Sequence, residues 1–343
     1  MVVKSHVNDN NHATDKSVAE ITCEPTDLSA LSATPLARQH QAQKHYRSSD
    51  MLPHHARTQA NETPVKIENQ PASLAVEAAV AIVINGIHYA VLMASPHQLE
   101  YLALGFLYSE GLIQHGHDLL DWEVTQLTDD ASYQLFTKTA DTDDADLNTL
   151  NESITQLRDY DIYVVDLVLN QRCHQHIQAQ KRQLAGRTGC GMCGITGLTQ
   201  ALPNLSIYRQ DAERVKSNMP ELDYLLEMRR QVDIMQHTHQ LTGAVHAAAT
   251  MQGEELHLFE DVGRHNALDK LIGWQLRHKT HSNSVLMTSR LSIELVQKSI
   301  RGHIPWLIGM SAPTSTAVRI ADRYNLGLAG FLRANRVTYY SGT

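Results

Sequence analysis

Cys190 and Cys193 are separated by two residues inside Gly186-Arg187-Thr188-Gly189-Cys190-Gly191-Met192-Cys193-Gly194-Ile195-Thr196-Gly197, a stretch with five glycines in twelve positions. Neither helix nor strand tolerates that composition, so the two thiols are expected on a loop. Four chemistries compete for them. A structural zinc site needs four ligands, and only Cys173-His174-Gln175-His176 could complete the set. A thioredoxin-like pair belongs at a helix N-terminus after a strand, a setting the flanking glycines fit poorly. A zinc deaminase would carry His-x-Glu and later Pro-Cys-x-x-Cys, whereas Gly189 precedes Cys190 and no His-x-Glu lies upstream. The fourth reading is a nucleophile that carries a group: Arg187 favours thiolate over thiol, and an accessible thiolate can take sulfane sulfur as a persulfide. On chemistry alone a redox or persulfide carrier and a metal site stand level, because one Cys-x-x-Cys is a weak motif.

The elements that must position this pair can be read from pattern. The chain of 343 residues holds 29 Lys+Arg against 37 Asp+Glu, a net charge of −8, with 42% hydrophobic residues. An acidic total without a basic run excludes a general nucleic-acid or membrane-surface binder. No apolar run is long enough to span a bilayer. The opening residues lack the apolar core of an export signal, so the cytoplasm is the expected compartment, and Cys23, Cys173, Cys190 and Cys193 are not expected to form a disulfide framework. Six of the 20 histidines, including His40 and His45, fall in a polar leader over residues 1–70 that is expected to be disordered and solvated.

Folded sequence is expected from about Ser73. Val76–Ile84 and Tyr89–Met93 read as strands around an Asn85-Gly86 hairpin turn. Ser95-Pro96-His97-Gln98 resembles an N-cap with a capping box, opening a helix that carries Leu99, Leu102, Ala103, Phe106 and Leu107. This gives a smaller N-terminal α+β unit over residues 71–170, closed by an acidic linker in which Asp141, Asp143, Asp144 and Asp146 cluster without the spacing of a calcium loop. Residues 171–235 form the Gly-rich Cys-x-x-Cys loop and a connecting segment. From residue 236 to 343, strands at 243–251, 256–260, 284–288, 306–310 and 327–331 alternate with helices at 264–277, 293–300 and 315–324. That alternation predicts βαβ units and a mostly parallel sheet covered on both sides, an α/β class whose ligands bind beyond the carboxyl ends of the strands. His246, Asp261, Arg264 and Arg333 fall near such ends.

Several segments occur in a recognisable order: Thr242-Gly-Ala-Val-His-Ala-Ala-Ala249, Glu260-Asp-Val-Gly-Arg-His-Asn-Ala-Leu-Asp-Lys-Leu-Ile-Gly273, Ser292-Ile-Glu-Leu-Val-Gln-Lys298, Ser311-Ala-Pro-Thr-Ser-Thr-Ala317 and Gly330-Phe-Leu-Arg-Ala-Asn-Arg336. With Asn85-Gly86 and Gly105-Phe-Leu-Tyr-Ser-Glu-Gly111 they closely resemble the FdhD/NarQ family, the sulfur-carrier accessory proteins of formate dehydrogenase, over about residues 73–343. Ala244, Ser289 and Arg187-Thr188-Gly189 depart from the family's usual residues without removing a thiol or a charge.

The resemblance implies a sulfurtransferase. Cys190 would accept persulfide sulfur from a cysteine desulfurase and deliver it to the molybdenum of the bis-molybdopterin guanine dinucleotide cofactor, activating the catalytic subunit of formate dehydrogenase. For Cys193 three roles stand open: it assists transfer, resolves the persulfide as a disulfide, or only tunes the pKa of Cys190. The resemblance further implies a cytidine-deaminase-like three-layer domain, a homodimer, no permanent metal, and cofactor binding at Phe331, Leu332, Arg333, Ala334, Asn335 and Arg336. His246, Arg264 and His265 are the other cofactor-binding candidates. A competing reading is a non-catalytic chaperone that shields the cofactor and needs the arginines but not the thiols. By pattern alone, Asp261 reads as an N-cap, Asp269 and Lys270 as surface charges, Phe259 and Trp274 as core or interface, and Cys23 and Cys173 as bystanders.

Overall fold

The computed structural model describes residues 3–4, 36–47, 65–129, 131–133, 155, 157–181 and 202–343. Cys23, Cys190 and Cys193 lie outside the described residues.

The N-terminal unit is a five-stranded sheet in the order β1-β6-β7-β4-β5, with β1 at Val3–Lys4, β4 at Ala78–Ile84, β5 at Ile87–Ala94, β6 at Leu119–Leu127 and β7 at Ile162–Leu169. The β4–β5 hairpin turns at Asn85 and Gly86, with φ of 49° and 76°, the left-handed pair that a two-residue hairpin requires. Helix α1 (Leu99–Ser109) buries Leu102, Ala103, Phe106 and Leu107 against this sheet. Its first residue is not capped by Ser95: Gln98 holds the N-cap place in a left-handed conformation, and Ser95 serves a buried network instead.

Two further strands precede this unit. β2 (Ala37–Arg47) and β3 (Val65–Ala75) pair residue for residue from Ala37–Ala75 to Arg47–Val65. A disordered leader is therefore the wrong expectation for residues 37–47 and 65–70, and His40 and His45 sit on a strand. The ribbon is largely exposed and lacks an apolar face, so hydrophobic patterning could not announce it. Its ladder of backbone bonds and a 2.7 Å ion pair from Arg38 to Asp161 hold it.

The C-terminal body is a six-stranded sheet in the order β13-β12-β11-β10-β8-β9: β8 at His246–Gln252, β9 at Glu255–Asp261, β10 at Ser284–Met287, β11 at Trp306–Gly309, β12 at Gly327–Arg333 and β13 at Arg336–Ser341. Only β10, β11 and β12 run parallel to one another; the β8–β9, β8–β10 and β12–β13 pairings are antiparallel. The sheet is thus mixed rather than mostly parallel, because hairpins end it on both sides. Alternation along β10 shows the layering. Val285 and Met287 pack with α6 (Arg264–His278), α7 (Ile293–Arg301) and α8 (Ser315–Tyr324), while Leu286 packs with Val215, Leu225, Met228 and Val232 on the other face. That second layer is α3 (Ala212–Ser217) and α4 (Leu222–Met235), so part of the expected connecting segment belongs to the body. Two further helices are α2 (Gln171–Lys181) and α5 (His237–Thr242).

The two units meet where α1 crosses α6. A Cβ at Gly105 would lie 1.8 Å from the Asp269 carbonyl oxygen, and one at Gly273 would lie 2.0 Å from that of Tyr101. The backbones touch, and only glycine permits it. Every residue of α6 from Asn266 to Gln275 is buried, so the helix has no outer face, which corrects the reading of Asp269 and Lys270 as surface charges. Phe259 and Trp274 are core, at 3% and 9% exposure. Asp269 is paired instead with Lys298 of α7 at 2.9 Å, and Lys298 also reaches Glu110 at 3.0 Å and the Ser109 hydroxyl at 2.8 Å. Burial alone would lower the Lys298 pKa, but the Asp269 and Glu110 carboxylates outweigh it and raise it, which keeps the ammonium charged.

Replacing Gly273 by Ala should cost about 3 kcal/mol or more, since the clash is with backbone and cannot be relieved by a rotamer. Urea unfolding of the variant checks this, and an unchanged midpoint would contradict the close crossing.

Candidate functional site

The loops that follow β10, β11 and β12 lie along one edge of the C-terminal sheet, and the N-termini of α6, α7 and α8 open at the same edge. Hydrogen bonds tie the row together. Thr288 exchanges bonds with Ala247, Leu291 donates to Ala312, Thr314 donates to Leu291, and Phe331 donates to Ser311. His246, at the start of β8, stands at this edge because β8 runs antiparallel to β10. Arg264 and His265 occupy the first turn of α6. Arg290 precedes α7, and Ser292 is its N-cap residue. The sequence-predicted His246, Arg264, His265 and Phe331–Arg336 are therefore brought to one edge.

This edge is electropositive. The His246 pKa is lowered by burial and then by the charges of Arg264, His239 and Arg290. Burial, followed by Arg264 and Lys298, pushes the His265 imidazole down to about 4, so it is neutral at physiological pH. Glu294 is the nearby acid. Burial would raise its carboxyl, but Ser292, the Glu294 backbone and the nearby His265 and Arg264 side chains hold it below its usual value. Arg264 Nε, His265 Nε2 and Glu294 Oε2 are buried without a hydrogen-bond partner among the described residues. Sequence reasoning passed over Arg290 and Glu294; the cue available was their place at a strand-to-helix junction.

The C-terminal segment is the β12–β13 hairpin. Ala334 and Asn335 form its exposed turn, so Arg333 and Arg336 face each other directly across the strands. Like charges in that register repel, and neither forms an ion pair with a carboxylate among the described residues. Arg333 donates to the Met310 carbonyl, which aims it toward the end of β11. Phe331 has φ of 52° at a bulge and is 39% exposed, whereas Leu332 is fully buried and accepts from Arg229 through its carbonyl. A bulky residue held at positive φ is strained, and such strain gathers at binding and catalytic sites. Leu332 is a core side chain, and its carbonyl is taken by Arg229.

Asp261 is not the N-cap of α6; that place belongs to Gly263. The Asp261 carboxylate instead accepts from the Gly263 N–H at 2.8 Å and pairs with Lys270 at 2.7 Å. Guanidinium groups, neutral imidazoles and helix N-termini converging on one edge can bind a polyanion such as a pyrophosphate. Among the described residues no group of three or more His, Cys, Asp or Glu converges as metal ligands, and no helix is long and apolar enough to cross a membrane.

Comparison with known proteins bears on this edge. Residues 75–343 match the model of the FdhD/NarQ family. The chain is 34% identical over 299 residues to the sulfur carrier protein FdhD of Shewanella oneidensis, covering 84% of this chain and 94% of that protein. Among solved structures it is similar to a protein described as a formate dehydrogenase accessory protein from Desulfotalea psychrophila, with a TM-score of 0.53 and 18% identity over 90% of this chain and 97% of that one. At that identity the likeness is one of fold.

The His265 titration has a definite sign. Its folded value of about 4 lies below the ordinary 6.5, so the unfolded chain binds the proton more readily between those values. Its contribution is complete above pH 6.5 and is lost as pH falls toward 4, by about 3 kcal/mol at most. Urea unfolding at pH 7 and pH 4.5 should show a smaller acid loss in His265→Gln than in the wild type; equal losses would contradict the burial of this ring.

Proposed function

The chain belongs to the FdhD/NarQ family, and on that premise we propose that it is a sulfur carrier serving formate dehydrogenase, with Cys190 as the carrying atom. The observation that carries this reading is the 34% identity to a sulfur carrier across 94% of that protein's length, together with the Cys190-Gly-Met-Cys193 pair.

The Cys190 thiolate attacks the terminal sulfur of a persulfide on a cysteine desulfurase. One sulfur–sulfur bond forms as another breaks, the desulfurase thiolate leaves, and no electrons are gained or lost. Releasing the carried atom as sulfide takes two electrons. Attack by the Cys193 thiolate on the Cys190 sulfur supplies them, leaving a Cys190–Cys193 disulfide that a cellular thiol then reduces. The acceptor is the molybdenum of a bis-molybdopterin guanine dinucleotide, treated as a bound substrate.

The electropositive edge suits that substrate. Arg264, Arg290, Arg333 and Arg336 offer charge-assisted donors to pyrophosphate oxygens, and Phe331 offers a ring face. His246 and His265, neutral near pH 7, can donate or accept a hydrogen bond without adding charge. A three-layer, cytidine-deaminase-like body is part of the same proposal, and the helices on both faces of the C-terminal sheet support the three layers. The cytoplasm and a homodimer complete the proposal.

After incubation with a cysteine desulfurase and cysteine, the intact protein should gain one sulfur atom by mass spectrometry, and Cys190→Ala should gain none. Arg333→Ala should keep sulfur loading while binding guanine nucleotide about tenfold more weakly. Loading undiminished in Cys190→Ala would overturn the carrier reading and favour a cofactor chaperone.

A further inference from the structure

A buried ion pair joins the body of α6 to the last residue of β9, just ahead of the first turn of α6. Lys270 and Asp261 meet at 2.7 Å with both side chains 0% exposed. Both ions are saturated. Asp261 accepts from the Ser95 N–H at 3.1 Å, the Gly263 N–H at 2.8 Å and the Asn266 amide at 2.9 Å, besides Lys270. Lys270 donates to Asp261, to the Ser95 carbonyl at 3.2 Å and to the Glu260 carbonyl at 3.1 Å, which uses all three ammonium hydrogens. The Ser95 hydroxyl accepts from the Val262 N–H at 3.1 Å, and the Asn266 amide also donates to the Met93 carbonyl at 2.8 Å.

The network therefore joins the β5–α1 link of one unit to the end of β9 and the start of α6 in the other. Gly263 has no side chain with which to cap its own helix; the Asp261 carboxylate, two residues upstream, holds the Gly263 N–H and the Asn266 side chain instead. Arg264 and His265 lie between Gly263 and Asn266, the two residues that Asp261 grips. Against a well-packed apolar pair, a buried ion pair gives little net stability. A group that contributes little to stability yet fixes the geometry of two neighbours is a supporting shell for those neighbours.

We infer that Asp261, Lys270 and Asn266 are positioning residues, which hold Arg264 and His265 against the sheet edge where a nucleotide pyrophosphate binds. The inference rests on the proposed guanine-dinucleotide site and extends it to the N-terminal unit, because Ser95 and Met93 are part of the clamp. None of the three needs to touch the ligand.

The test uses the full chain with GDP as probe. In Asp261→Asn/Lys270→Met, which removes both charges together, calorimetry should show GDP affinity falling about tenfold or more. Amide exchange of residues 264–267 should quicken while that of residues 271–276 stays unchanged, a local pattern that a general loss of stability would not produce. Asn266→Ala, a milder change, should show the same pattern with an affinity loss of about threefold. If both variants bind GDP within about twofold of the wild type with exchange unaltered, the inference is overturned. Should the double variant unfold, Asn266→Ala decides: lost affinity with exchange confined to 264–267 supports the inference, and retained affinity or uniformly faster exchange refutes it. Failure of the wild type to bind GDP would count against the ligand reading, and the exchange pattern would then judge the positioning claim by itself.

Discussion

The contact of α1 with α6 backbone to backbone is the constraint on which the remaining structure depends. Gly105 and Gly273 let two helices from different units approach until a methyl group would overlap a carbonyl. That approach removes the outer face of α6, and its charged residues must then find partners inside the protein. Asp269 finds Lys298 and Lys270 finds Asp261. Adjacent residues on one helix thus send opposite charges in opposite directions, one toward the end of α1 and α7, the other toward the β5–α1 link. An unpaired member of either pair would bear the full cost of a buried ion, so the two contacts also fix the register of the crossing.

From this arrangement follows the character of the candidate site. The N-terminus of α6 cannot drift, because its body is clamped on all sides, and Arg264 and His265 are presented at the same edge as the N-termini of α7 and α8. Burial keeps the imidazoles of His246 and His265 neutral while the guanidinium groups stay charged. The edge therefore combines fixed positive charge with uncharged hydrogen-bonding groups, a composition matched to phosphates attached to polar rings. Arg333 and Arg336, facing each other across a hairpin, add like charges whose repulsion an anion would relieve.

The C-terminal body was legible in sequence because its signals are local. Strands at 246–252, 284–287 and 306–309 show as short apolar runs, and α6, α7 and α8 as periodic stripes between them. Strand direction was not legible: the antiparallel β8–β9 and β12–β13 pairings depend on turns that apolar periodicity does not report. The β2–β3 ribbon was invisible for a different reason, since its order comes from backbone pairing and not from an apolar face. Asp269 and Lys270 looked like surface because burial of that side of α6 is imposed by α1, more than 150 positions earlier in the chain. Ser95 looked like a helix cap because the usual cap pattern is local, whereas its partners, Asp261, Val262 and Lys270, are tertiary. Of the site, Arg264, His265, His246 and the 331–336 segment were identifiable through family resemblance, while Arg290 and Glu294 emerged only when the strand ends were aligned.

In the proposed function one thiol, that of Cys190, conveys sulfur to formate dehydrogenase. The most direct measurement is activation of sulfur-free formate dehydrogenase by this protein after loading with radiolabelled sulfur from cysteine. Label should pass to the enzyme in step with the appearance of formate oxidation, and Cys190→Ser should yield neither. Activation by that variant, or activation without transfer of label, would contradict it.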